Sequence, residues 1–130
     1  MKDCIFCNFK SDERGVRSFE NEFCYSIEQK DDVLDGWHMI IPKAHKETPF
    51  DLSIDEWIAT KELLEVVKNH LDAKFSPDGY NINWNIGKVA GQTIGHCHLH
   101  VIPRFSDEPF AGKGIRQYVA SKENRRPSKT

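Results

Sequence analysis

Three histidines, His96, His98 and His100, alternate with Cys97, Leu99 and Val101. Strict alternation is the pattern of a half-buried strand, with the apolar residues facing a core. The imidazoles then stand in a row on the opposite face, about 6.6 Å apart per step. Histidine is a poor strand former, so propensity alone does not explain the row. An imidazole on a rigid strand can attack phosphorus and divide a hard displacement into two easier ones. The row alone also admits a metal-binding tract or a merely polar sheet face. Gly91-Gln92-Thr93 shifts the balance, because it places a flexible turn, an amide and a hydroxyl just before the strand. Each of those groups can hold phosphoryl oxygens.

Cys4 and Cys7 form a C-x-x-C near the start of the chain. That spacing suits a redox pair or half of a zinc site, and two incidental thiols are the third possibility. The redox reading wants a preceding strand and a following helix, and residue 4 leaves no room for the strand. Zinc needs two further ligands from elsewhere, usually His or Cys.

The elements that must position these groups follow from period and punctuation. Residues 10–17 are charged and read as a loop, and residues 19–28 read as a strand with Phe23, Tyr25 and Ile27 in alternation. Asp35-Gly36 is a hairpin signal, and residues 37–41 form the next strand, stopped by Pro42. The one long helix is expected over 53–75, with Ser53 as N-cap and Glu56 completing a capping box. Trp57, Leu64, Val67, Leu71 and Phe75, with Leu63 and Thr60, make its expected core stripe, and His70 is simply a helix residue. Residues 76–79 break it. Residues 80–86 alternate again, with Ile82, Trp84 and Ile86 on one face and Asn81, Asn83 and Asn85 on the other. Those amides meet solvent or line a polar ligand site beside the histidines.

The chain has 130 residues, 38% of them hydrophobic and 29% charged, which suits one globular domain. A formal charge of −2 supplies no bulk attraction to DNA, RNA or an anionic membrane. No apolar run is long enough to be an export signal or to cross a bilayer, so a cytoplasmic protein with reduced or metal-bound cysteines is expected.

His96-Cys97-His98-Leu99-His100-Val101-Ile102 resembles the motif of the histidine triad (HIT) superfamily, His-φ-His-φ-His-φ-φ with φ apolar. Asn85-x-Gly87-x-x-Ala90-Gly91-Gln92-Thr93, leading to Pro103-Arg104, resembles its zinc-containing bacterial branch that hydrolyses dinucleoside polyphosphates. The resemblance implies an α+β fold, an antiparallel sheet with one long helix, continued across a two-fold homodimer. It places the domain at 1–116 and leaves 117–130 as a C-terminal tail, with 112–116 similar to a mobile arm in some relatives.

By resemblance His98 is the nucleophile, with His100 and Gln92 completing the catalytic set. Asn85, Gln92, Thr93, His100 and Gln29 bind the nucleotide. Cys4, Cys7, His45 and His96 match a structural zinc set, and magnesium arrives, if at all, with the substrate. A carbonyl is the expected acceptor for the second nitrogen of His98, since no carboxylate is near in sequence. Two positions depart from the family pattern. Trp37 stands where the fourth active-site histidine falls, and His38 should face the other side of an unbulged strand. Gln29 replaces the usual ribose-binding Asp or Asn.

The activity expected is cleavage of a dinucleoside polyphosphate, or a related conjugate such as a phosphoramidate, at the α-phosphate through a nucleotidyl-histidine. A transferase or phosphorylase would use the same intermediate with another acceptor. A non-catalytic nucleotide sensor is the binding-protein alternative, and a structural zinc protein would have no use for Gln92-Thr93.

Overall fold

The computed structural model describes residues 1–129. Strands β1 (Gly15–Glu20), β2 (Cys24–Gln29), β3 (His38–Pro42), β4 (Gly79–Trp84) and β5 (Leu99–Arg104) form one antiparallel sheet in the order β1-β2-β3-β5-β4. Helix α1 (Ile54–Phe75) crosses one face of it. The α+β architecture expected from the sequence is the one observed.

Ser53 and Glu56 form the expected capping box: Glu56 N–H donates to Ser53 Oγ at 3.1 Å and Ser53 N–H donates to Glu56 Oε1 at 2.7 Å. The buried stripe of α1 keeps Thr60, Leu63, Val67 and Leu71 but is rotated from the expected one toward Glu56 and Ala59. Ala59, Leu63, Val67 and Leu71 pack on Cys24, Ile40, Leu99 and Val101, while Leu64 and Phe75 are only partly buried. Trp57 sits at the rim, 42% exposed, with its ring edge-on to Trp84. Spacing by four residues from Ala59 keeps small and branched side chains over the sheet and rotates the bulkier indole outward.

The charged segment expected as a loop over 10–17 contains the first half of a strand. β1 lies at the sheet edge, where Arg17 and Glu20 reach solvent while the backbone pairs with β2. Charge marks an edge strand as readily as a loop. The strand expected over 19–28 is broken because Asn21 Oδ1 accepts from the N–H groups of Phe23 and Cys24, turning the chain into a hairpin. Gly36 turns the next hairpin with φ 75°, and a Cβ there would stand 2.9 Å from Leu71 and Phe75.

β3 pairs with β2 and β5 in continuous register, so no bulge re-aims His38. His38 is fully buried on the helix face, its Nδ1–H donating to Gly36 O at 2.8 Å and its Nε2 without a partner. Burial pushes its pKa down; Glu28 opposes the shift, whereas His70 and Lys74 add to it. The unfolded chain therefore takes up a proton below about pH 6.5 that the folded chain resists, and stability falls as pH drops through that range. Relative to wild type, His38→Phe is expected to lose part of this dependence, by up to about 1.4 kcal/mol per pH unit. Urea unfolding at about pH 7.5 and about pH 5 measures the difference, and identical slopes would contradict it.

Candidate active site

The face opposite α1 carries Tyr25, Ile27, Met39 and Ile41, with Phe6 laid across them. Pairing of Met39 and Asn83 with His100 brings all three residues to this face. The triad is less extended than its alternation implied. β5 begins only at Leu99, and residues 94–96 bend before it. Cys97 N–H leaves the ladder to donate to Lys46 O at 2.7 Å. Even so, Cys97, Leu99 and Val101 are buried, while the imidazoles gather along the other face. The His98 and His100 rings lie 4.9 Å apart, closer than a straight strand would hold them.

Each imidazole has one nitrogen committed. His98 Nδ1 lies 3.0 Å from His96 O, the carbonyl acceptor expected from sequence, so the ring proton sits on Nδ1 and Nε2 keeps its lone pair. Burial pushes the pKa of His98 down, more than the hydrogen bond to His96 O restores. His100 is pushed down to about 4 by burial and by His98. At neutral pH the pair is uncharged, as an attacking imidazole must be.

His96 turns away from this pair. Its Nε2–H donates to Pro42 O at 2.8 Å, leaving Nδ1 3.3 Å from Cys4 Sγ and 3.5 Å from Cys7 Sγ. His45 Nδ1 is 3.3 Å from Cys7 Sγ, and the four donor atoms all lie within 4.8 Å of one another. Two thiols and two imidazole lone pairs at this spacing could share one tetrahedral ion, since metal bonds of about 2.0–2.3 Å put ligand atoms about 3.3–3.8 Å apart. Phe6 wedges between this set and the His98–His100 pair, its ring 5.9 Å from His96 and 5.1 Å from His98. Tyr25 Oη donates to Phe6 O at 2.5 Å and pins that wedge. Phe6, an aromatic inside the C-x-x-C, carries no role in the sequence pattern, and only the fold places it against both rings.

The nucleotide-binding expectations divide. Asn83 Nδ2 donates to Asn85 Oδ1 at 2.9 Å, so these amides support each other beside His100. Thr93 is exposed at the approach to the triad. Gln29 ends β2 with its N–H donating to Trp37 O at 2.8 Å. The Gln92 side chain spans its own loop. Its Nε2 donates to Glu47 O and Ile94 O at 2.8 and 3.0 Å, and its Oε1 accepts from Gly87 N–H at 2.9 Å. Both amide hydrogens are spent on holding the loop. Gln92→Ala is accordingly expected to speed hydrogen exchange at the Gly87 amide by about tenfold, as loss of one hydrogen bond of about 1.4 kcal/mol implies. Unchanged exchange would free Gln92 for another role. Cys97 and Cys24 stay apart from this chemistry: burial pushes the Cys97 thiol up to about 12 and raises that of Cys24.

An antiparallel sheet under one helix, with paired neutral imidazoles beside a Cys2His2 cluster, defines a histidine-triad protein. The HIT domain family model matches residues 12–107, and the chain belongs to that family. It is 33% identical over 121 residues to the adenosine 5'-monophosphoramidase of Schizosaccharomyces pombe, covering 92% of this chain and 88% of that one. It is 29% identical over 120 residues to the adenylylsulfatase HINT3 of Arabidopsis thaliana, covering 91% of this chain but 61% of the longer plant protein. Among solved structures, a HIT family protein from Bacillus anthracis superposes with a TM-score of 0.72 at 30% identity, covering 94% of this chain and 89% of that one. A zinc-bound histidine triad family protein from Mycobacterium smegmatis superposes with a TM-score of 0.72 at 26% identity, covering 86% and 82%.

Proposed function

We propose that the chain is a nucleotide hydrolase that cleaves nucleotide conjugates at the α-phosphorus through a nucleotidyl-histidine and releases a nucleoside monophosphate. The observation that carries this reading is the state of His98: Nδ1–H is held by His96 O, and Nε2 keeps a lone pair in a buried, neutral site. In the first step Nε2 forms a bond to phosphorus as the bond to the leaving group breaks in line. In the second, water attacks the adduct, the P–N bond breaks, and His98 is regenerated. His100 and backbone N–H groups of the loop that Gln92 holds supply hydrogen bonds to the phosphoryl oxygens, where charge accumulates.

Dinucleoside polyphosphates remain substrates of this reading. The similarity to a monophosphoramidase and an adenylylsulfatase adds adenosine 5'-phosphoramidate and adenylyl sulfate. Cys4, Cys7, His45 and His96 would hold zinc in a closed set, which stiffens the site and leaves no open coordination position for catalysis. Similarity to a zinc-bound relative supports that choice of ion. The homodimer would use the unpaired edge of β4, where Ile82 is exposed. Among the described residues no helix is long and apolar enough to cross a membrane.

The test is release of AMP from adenosine 5'-phosphoramidate, adenylyl sulfate and diadenosine tri- and tetraphosphate by the purified protein. Turnover of at least one is expected. Trp37 in the place of a family histidine favours a second reading, a nucleotide sensor. AMP binding with no release from any of these substrates would select it.

A further inference from the structure

We propose that Trp37 is a positioning residue that locks His100 in its Nε2–H tautomer and so restricts the site to leaving groups that depart as stable anions. The second half rests on the hydrolase reading above; the first does not.

The indole Nε1–H of Trp37 lies 3.1 Å from His100 Nδ1. The two rings are 5.7 Å apart, tilted by 33°. Indole nitrogen only donates, so His100 Nδ1 must accept and its proton must sit on Nε2. A histidine at position 37 could donate or accept and would leave both tautomers open to His100. Trp37 closes that choice. The geometry follows from the fold: Met39 pairs with His100, and Trp37, two residues earlier, returns the indole over the same imidazole.

A locked Nε2–H makes His100 a permanent hydrogen-bond donor toward the site. It also prevents Nε2 from acting as a base, and burial with His98 as neighbour holds the ring uncharged at neutral pH. A neutral imidazole N–H is a poor proton source. A phosphoramidate must protonate its departing amine, whereas adenylyl sulfate and a dinucleoside polyphosphate release anions that need no proton. The substitution of tryptophan for histidine thus favours the second group.

The experiment combines side-chain nitrogen NMR with kinetics on wild type, Trp37→Phe and Trp37→His. Phe keeps an aromatic ring and removes the donor. In wild type, His100 Nδ1 should show the signature of an unprotonated ring nitrogen, and Trp37→Phe should convert it to a mixture of tautomers. A protonated Nδ1 in wild type, or an unchanged signature in Trp37→Phe, overturns the proposal whether or not the protein turns over substrate. Trp37→His should shift the ratio of kcat/KM for adenosine phosphoramidate over adenylyl sulfate upward by about tenfold or more. An unchanged ratio in an active enzyme overturns the leaving-group restriction. Absence of turnover with every substrate would remove the hydrolase reading and the restriction built on it, while the NMR result alone would still decide the lock.

Discussion

His98→Ala is expected to lower turnover by on the order of 10⁴-fold or more while AMP still binds. That factor corresponds to about 5.5 kcal/mol of lost transition-state stabilisation. The size follows from what the imidazole does. Without it, water must displace the leaving group directly, in one hard step instead of two easier ones. Donors such as His100 remain, so a residual rate above solution is expected. Binding should persist because the sheet face, Asn83 and Asn85 are untouched. The adduct offers an independent check, since a phosphorus–nitrogen bond survives alkaline quenching and dies in acid. Mass spectrometry of wild type quenched in alkali should find a nucleotidyl group on the peptide containing His98, and His98→Ala should lack it. Turnover by His98→Ala within tenfold of wild type would remove His98 as nucleophile.

Loss of the metal set should have the second largest effect. A structural zinc site in a zinc-finger peptide contributes on the order of 10 kcal/mol, though a domain with its own core depends on the ion less. For Cys4→Ser, or for wild type treated with a strong chelator, the expected outcome is loss of about one zinc per chain and a melting point lower by about 10 °C or more. The fall should extend to activity, for a reason visible in the backbone. His96 lends its ring to the cluster and its carbonyl to His98 Nδ1–H. Releasing the ring loosens the carbonyl, and with it the tautomer that leaves His98 Nε2 free. Phe6, packed against both rings from within the C-x-x-C, would loosen at the same time. Unchanged zinc content and unchanged melting in Cys4→Ser would take Cys4 out of the ligand set.

Local pattern was enough for much of this. Alternation at 96–101 and 81–84 assigned faces correctly, because side-chain direction along an extended chain depends only on neighbouring residues. The capping box at Ser53 and Glu56 and the stop at Pro42 are equally local. The motif around His98 identified the family, and the C-x-x-C with His45 and His96 named four residues that the fold brings together from 92 positions apart.

What the tertiary structure decided depends on partners distant in sequence. Gln92 was legible as an amide near the triad, but only the approach of Glu47 O shows that its hydrogens are already spent. The edge strand β1 was hidden because an exposed, charged segment carries no burial pattern until a neighbour pairs with it. Trp37 was visible as a departure from a motif. Its use as a donor to His100 was not, because a hydrogen bond across 63 residues requires the sheet to bring β3 and β5 together. Residue type determines which bonds a side chain can make, and the packed sheet determines which of them are made.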